Sequence, residues 1–158
     1  MADDSVLRKQ LIELLRGGQA HATLDEAIDG IPFEQAGTRP EGSPHSPWEL
    51  LVHLRIAQED ILKFSQSADH KSPPWPRGYW PSQTGPANQA EWDGCVRALH
   101  EDLAAFEAMI EDPEQDLFRP FPWGEGQTLL REALLIADHN AYHGGQLVLV
   151  RRLLRAWE

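Results

Sequence analysis

The sequence predicts an all-α fold, an antiparallel four-helix bundle. Apolar residues recur at helical spacing in four segments, and no segment shows the apolar–polar alternation of a strand. The segments are joined by proline- and glycine-rich connections of about 15 residues, long enough to decorate one end of a bundle. A chain of 158 residues fits one domain, residues 1–158, and buries a core without staples.

The first helical segment runs roughly from Ser5 to Gly30, with Leu7, Leu11 and Leu14 on one stripe and a kink expected at Gly17-Gly18. The connector IPFEQAGTRPEGSPHS breaks it. The second helix begins at SPWELL: Ser46 suits the N-cap, Pro47 the first helical position and Glu49 the capping box. It extends to about Ala68, where HKSPPWPRGYWPSQTGP stops it. The third covers about Asn88 to Glu111 and ends before Pro113. After LFRPFPWGEGQ the last helix starts near Thr128 and continues almost to the C-terminus. Trp75, Trp80 and Trp123 lie in the loops, where they either cap the bundle or wall a pocket.

Composition narrows the function. Twenty-five acidic against 14 basic residues give a formal net charge of −11, which repels phosphate backbones, so nucleic-acid binding is not expected. Arg151, Arg152 and Arg155 form a short basic run at a helix end, where positive charge is favourable. No apolar run reaches the roughly 20 residues a membrane helix needs. The N-terminus lacks the basic and apolar blocks of a secretory signal, so a cytoplasmic location is expected. The single cysteine, Cys95, excludes an intramolecular disulfide and a multi-thiolate zinc site, and lacks an obvious activating base.

The stretch DHNAYHGGQL carries the chemistry. His139 and His143 are four residues apart, about 40° around a helix and one turn along it, so both imidazoles can reach one point. Ile136, Leu147, Val150 and Leu154 share their face, which places the pair on the core side. A third inward imidazole, His53, sits at the edge of the stripe made by Leu50, Leu54, Ala57, Ile61 and Phe64. Three imidazoles from two helices make a three-nitrogen metal site with further coordination positions open, as in catalytic sites. Gly144 and Gly145, costly inside a helix, suggest a close approach by another helix. The competing account is that each histidine is separately satisfied by hydrogen bonds.

His21 lies on the inward side of the first helix and is a fourth ligand, a proton-transfer group or a core histidine. His45, His70 and His100 carry no special signal. Gln146 is placed to support His143 as an outer partner. Glu132 shares the face but lies about 10 Å along the axis from His139, too far for joint ligation. Asn140 follows His139 where a zinc protease of the H-E-x-x-H type needs glutamate, and no Glu-x-x-His pair of the di-iron bundles is present. Three histidines accept zinc, nickel, copper, cobalt or iron.

Three stretches, SPWELLVHLRIAQEDIL, GYWP and GQTLLREALLIADHNAYHGGQL, together resemble the DinB-like family, which includes the YfiT-type proteins. The resemblance spans roughly His21 to Trp157. It implies a four-helix bundle with a divalent metal, nickel or zinc, on His53, His139 and His143, and a homodimer. It further implies a transferase or isomerase that uses a low-molecular-weight thiol such as mycothiol or bacillithiol on a small electrophilic substrate. The residues also admit metal-assisted hydrolysis of a small substrate, with His21 or Glu132 as base. They equally admit a non-enzymatic, metal-stabilised stress-response or binding module.

Overall fold

Capping chemistry sets most helix boundaries. The computed structural model describes residues 4–157 and contains five α-helices: α1 (Ser5–Arg16), α2 (Leu24–Ile28), α3 (Pro47–Gln66), α4 (Gln89–Glu111) and α5 (Leu129–Leu153). There is no strand among the described residues, only an isolated bridge between Pro120 and Thr128. Ser46 and Glu49 form the expected reciprocal capping box at α3, behind which Pro47 occupies the first turn. Asn88 and Thr128 accept hydrogen bonds from Glu91 and Arg131 amides to start α4 and α5.

The first segment departs from the expected single helix. Gly17 and Gly18 take φ of +72° and +81°, a left-handed conformation that ends α1 rather than kinking it. Thr23 and Glu26 then build a second capping box for the short α2. The buried face of α1 is Arg8, Leu11, Ile12 and Leu15, whereas Leu14 is 49% exposed. His21 therefore belongs to a connection, not to an inward stripe. It is exposed, with Nδ1 2.8 Å from its neighbour's carbonyl, Ala22 O.

Two apolar clusters reveal the helix directions. One joins Leu50, Leu51 and Leu54 of α3 to Trp92, Cys95 and Leu99 of α4 and to Leu147 and Val150 of α5. The other joins Leu62 of α3 to Phe106 and Ile110 of α4, to Leu129, Ala133 and Ile136 of α5, and to α1. Early α3 thus packs on early α4 and late α5, and late α3 on late α4 and early α5. α3 and α4 run parallel, and α5 runs against both. Leu50, Leu51 and Leu54 are no more than 1% exposed, and full burial of such a side chain stabilises by about 1.5–3 kcal/mol.

Parallel neighbours need a connection that travels the length of the helices. Residues 67–88 provide it, so the loop holding Trp75 and Trp80 runs beside the helices instead of gathering with the Trp123 loop at one end. Its 3₁₀ turn, Arg77–Tyr79, packs on α3. Gln58 fixes the lateral register of the three long helices. Its amide donates to Leu99 O of α4 (2.6 Å) and its carbonyl accepts from Asn140 of α5 (2.9 Å), all three residues being buried. No helix among the described residues is long and apolar enough to cross a membrane.

Candidate metal centre

His53 stands on the inner face of α3 and is 3% exposed; His143 of α5 is 8% exposed, and His139 is half-buried one turn before it. Antiparallel packing of α3 and α5 brings the three rings together. His53 Nε2 lies 3.1 Å from His143 Nε2 and 3.1 Å from His139 Nε2. One donor nitrogen from each ring falls within 4.8 Å of the others. Ring centroids are 4.5 to 4.9 Å apart and the planes are steeply inclined, so the nitrogens point at a common volume rather than the faces stacking.

Hydrogen bonding assigns the lone pairs. A carbonyl oxygen only accepts, so His53 Nδ1 carries its proton and donates to Tyr79 O at 2.8 Å. His143 Nδ1 likewise donates to Gln146 Oε1 at 2.7 Å, as anticipated for Gln146. Both neutral rings then present unprotonated Nε2 atoms to each other. Burial lowers the pKa of all three histidines, that of His139 to about 4, so protons do not neutralise this confrontation near pH 7. Facing lone pairs at 3.1 Å form a set of nitrogens that could hold a shared cation. Zinc–nitrogen bonds of about 2.1 Å in tetrahedral array separate ligand atoms by about 3.4 Å, close to the 3.1 Å of the two pairs that include His53.

The surroundings make this centre rigid. Trp80 lies flat on His53, with centroids 4.0 Å apart and planes 2° from parallel, and His45 stacks on the indole's other face at 4.1 Å. Burial also pushes the His45 pKa down. Tyr142, 65% exposed, sets its edge against His143 at 4.9 Å. The Tyr79 carbonyl is held through its own side chain. The phenol donates to Asp60 Oδ2 at 2.6 Å, and His70 Nε2 meets Asp60 Oδ1 at 2.6 Å. Burial, and then the Asp60 carboxylate, raise the Tyr79 pKa to about 12. Asp60 lies two turns beyond His53 on α3, so one helix face carries both the histidine and the anchor of its partner. Gly78 lets this turn close: a Cβ there would sit 2.6 Å from Pro73 Cβ and 2.8 Å from Pro74 Cδ.

Other expectations resolve differently. A Cβ at Gly144 would meet only Leu24 Cδ1 at 3.7 Å, and one at Gly145 would meet nothing within 4 Å. Neither glycine marks a close helix approach. Glu132 is 2% exposed and bound to Arg131 at 2.7 Å, and neither it nor His21 belongs to the histidine cluster. Cys95 is a buried core residue whose thiol burial raises to about pKa 11, unsuited to nucleophilic work. Trp75 is 76% exposed, while Trp123 donates its indole N–H to Phe64 O at 2.8 Å.

Sequence reasoning missed Tyr79, Asp60, His70 and His45 as supports of the site. The aromatic run GYWP was visible, but a backbone carbonyl leaves no residue-type signature. The family model for the DinB superfamily matches residues 16–147, more than half the chain and including all three histidines. No curated protein and no solved structure matches the chain.

Proposed function

The chain belongs to the DinB superfamily, and we propose that His53, His139 and His143 hold a divalent metal ion, zinc or nickel, in an enzyme that directs a low-molecular-weight thiol at a small electrophile. The observation that carries the metal is the pair of unprotonated Nε2 atoms of His53 and His143, 3.1 Å apart with both Nδ1 protons committed elsewhere. An ion bound there supplies a Lewis acid that lowers the pKa of a thiol or of water.

The protein's own groups provide the frame. Tyr79 O and Gln146 Oε1 fix the tautomers and ring orientations of His53 and His143. Trp80 covers one face of His53 and keeps water from that side. The thiol reading is favoured over hydrolysis by the absence of a carboxylate from the cluster among the described residues. A thiol is acidic enough to lose its proton without a neighbouring base, whereas water attack is helped by one.

The test is elemental analysis of protein purified without chelators or a histidine tag, alongside His53→Ala and His139→Ala variants. About one ion per chain, lost in both variants, is the expected result. Metal-loaded protein is then assayed for thiol consumption against a panel of electrophiles, and for turnover of esters, amides and phosphoesters with and without thiol. Metal without thiol-dependent turnover removes the enzymatic half of the proposal. Full metal content in both variants removes the whole.

A further inference from the structure

α5 is apolar on its outer side as well as on its core side. Leu134, Tyr142 and Leu149 are 47%, 65% and 58% exposed, whereas Ile136, Leu147 and Val150 are buried on the inner side. A helix that is apolar all round is ordinarily covered all round. Measured from Gly145, Leu134, Asp138, Ala141, Leu149 and Arg152 fall within about 40° around the helix, and Tyr142 within about 60°. All are exposed, so they form one stripe about 27 Å long.

Charge identifies a second copy of this chain as the occupant. With 25 acidic and 14 basic residues, two copies repel each other over most of their surface. The stripe is spared that excess. Of the two acidic residues of α5, Glu132 is buried, and the other, Asp138, shares the exposed side with Arg131 and Arg152. Neither Asp138 nor Arg152 has an ion-pair partner for its side chain among the described residues. They stand seven residues before and seven residues after Gly145. A Cβ at Gly145 would meet nothing of its own chain within 4 Å, so the monomer does not need this glycine, whereas a helix crossing there would.

We propose that α5 packs antiparallel on α5 of a second copy, about a two-fold axis at Gly145, to form a homodimer. Such an axis sets each residue opposite one equally far beyond Gly145, and every contact occurs twice. Asp138 of each copy then meets Arg152 of the other, and Tyr142 of each packs beside Leu149 of the other. The two glycine backbones meet at the crossing. Tyr142 already sets its ring edge against His143. Leu149 of the second copy therefore covers the exposed side of that ring and becomes part of the wall of the histidine centre.

The experiment is sedimentation velocity on the full chain, metal-loaded and chelated. A single helix pair lies at the low end of interface size, so dimers with a micromolar Kd are expected in both forms, read from about 1 to 500 µM. Gly145→Arg, which has room in the monomer, abolishes dimerisation without lowering the Tm. Asp138→Arg and Arg152→Asp each weaken it about tenfold or more, by placing like charges together twice. Mixing the two single variants restores a heterodimer, because both contacts are then of opposite charge; this recovery also shows that each variant is folded. Monomer throughout the range overturns the proposal and leaves the face to a different protein or a lipid surface. Dimers indifferent to Gly145→Arg, or single variants that fail to recover on mixing, overturn it as well.

Discussion

The indole of Trp80 and the imidazole of His53 lie face to face, 4.0 Å apart and 2° from parallel. The loop residue thereby holds the α3 histidine in the plane that aims its Nε2 at α5. Trp80→Ala is expected to lower metal affinity about tenfold or more, in the range found when outer partners of metal-bound histidine are removed. Trp80→Phe should retain most of it. Competition titration with a chromophoric chelator measures both, and equal affinity in wild type and Trp80→Ala would show that the stack orients nothing.

Asp60 acts on the same histidine from farther away, through the Tyr79 phenol and then the Tyr79 carbonyl. Asp60→Ala frees the 3₁₀ turn and is expected to reduce metal affinity by about tenfold. Tyr79→Phe keeps the carbonyl and should give a smaller reduction. Gly78→Ala tests the turn by another route, since its Cβ would collide with Pro73 and Pro74. Unchanged affinity in all three variants would sink this account.

Removing the metal should destabilise the fold. An ion bound only by the folded chain at 100 times its dissociation constant contributes roughly 2.7 kcal/mol. Chelation is therefore expected to lower the Tm by several degrees, and His53→Ala protein should show no such response. A Tm indifferent to chelator in protein shown to contain metal would contradict this.

The buried polar register also has a predictable cost. Gln58→Ala leaves Leu99 O without its Gln58 donor and Asn140 Nδ2 without its acceptor, for a loss of about 1–3 kcal/mol in urea unfolding. Because Asn140 follows His139 directly, metal affinity should fall as well. A loss below about 0.5 kcal/mol would mean that the network contributes little.

Acid stability should report on Glu49. Burial alone would raise its pKa, but the Arg39 guanidinium and the Ser46 amide outweigh burial and hold it below the ordinary 4.5. A carboxylate with a depressed folded pKa contributes stability that is present above about pH 4.5 and is lost as pH falls through the depressed value. Arg39→Met leaves burial less opposed, so the acid limb of Tm against pH should move to higher pH. Superimposable acid limbs would refute the assignment.

The sequence by itself determined the helical class, the cap at Ser46, the start of the last helix near Thr128, the inward placement of His53 and His143, and the spacing that sets His139 one turn from His143. These are local matters of side-chain period and backbone capping, and each is decided within a few residues. Only tertiary structure decided the rest. Gly17 and Gly18 signalled a disturbance, but the break between α1 and α2, and with it the exposure of His21, depended on the left-handed backbone they adopted. The parallel course of α3 and α4 was set by which ends of the two helices share a core cluster, a fact that residue spacing along one helix does not encode. That course drew residues 67–88 along the helices and delivered Tyr79 O and Trp80 to His53 from far along the chain. A backbone carbonyl and a stacked ring acquire their roles from position, and position is what folding adds to the sequence.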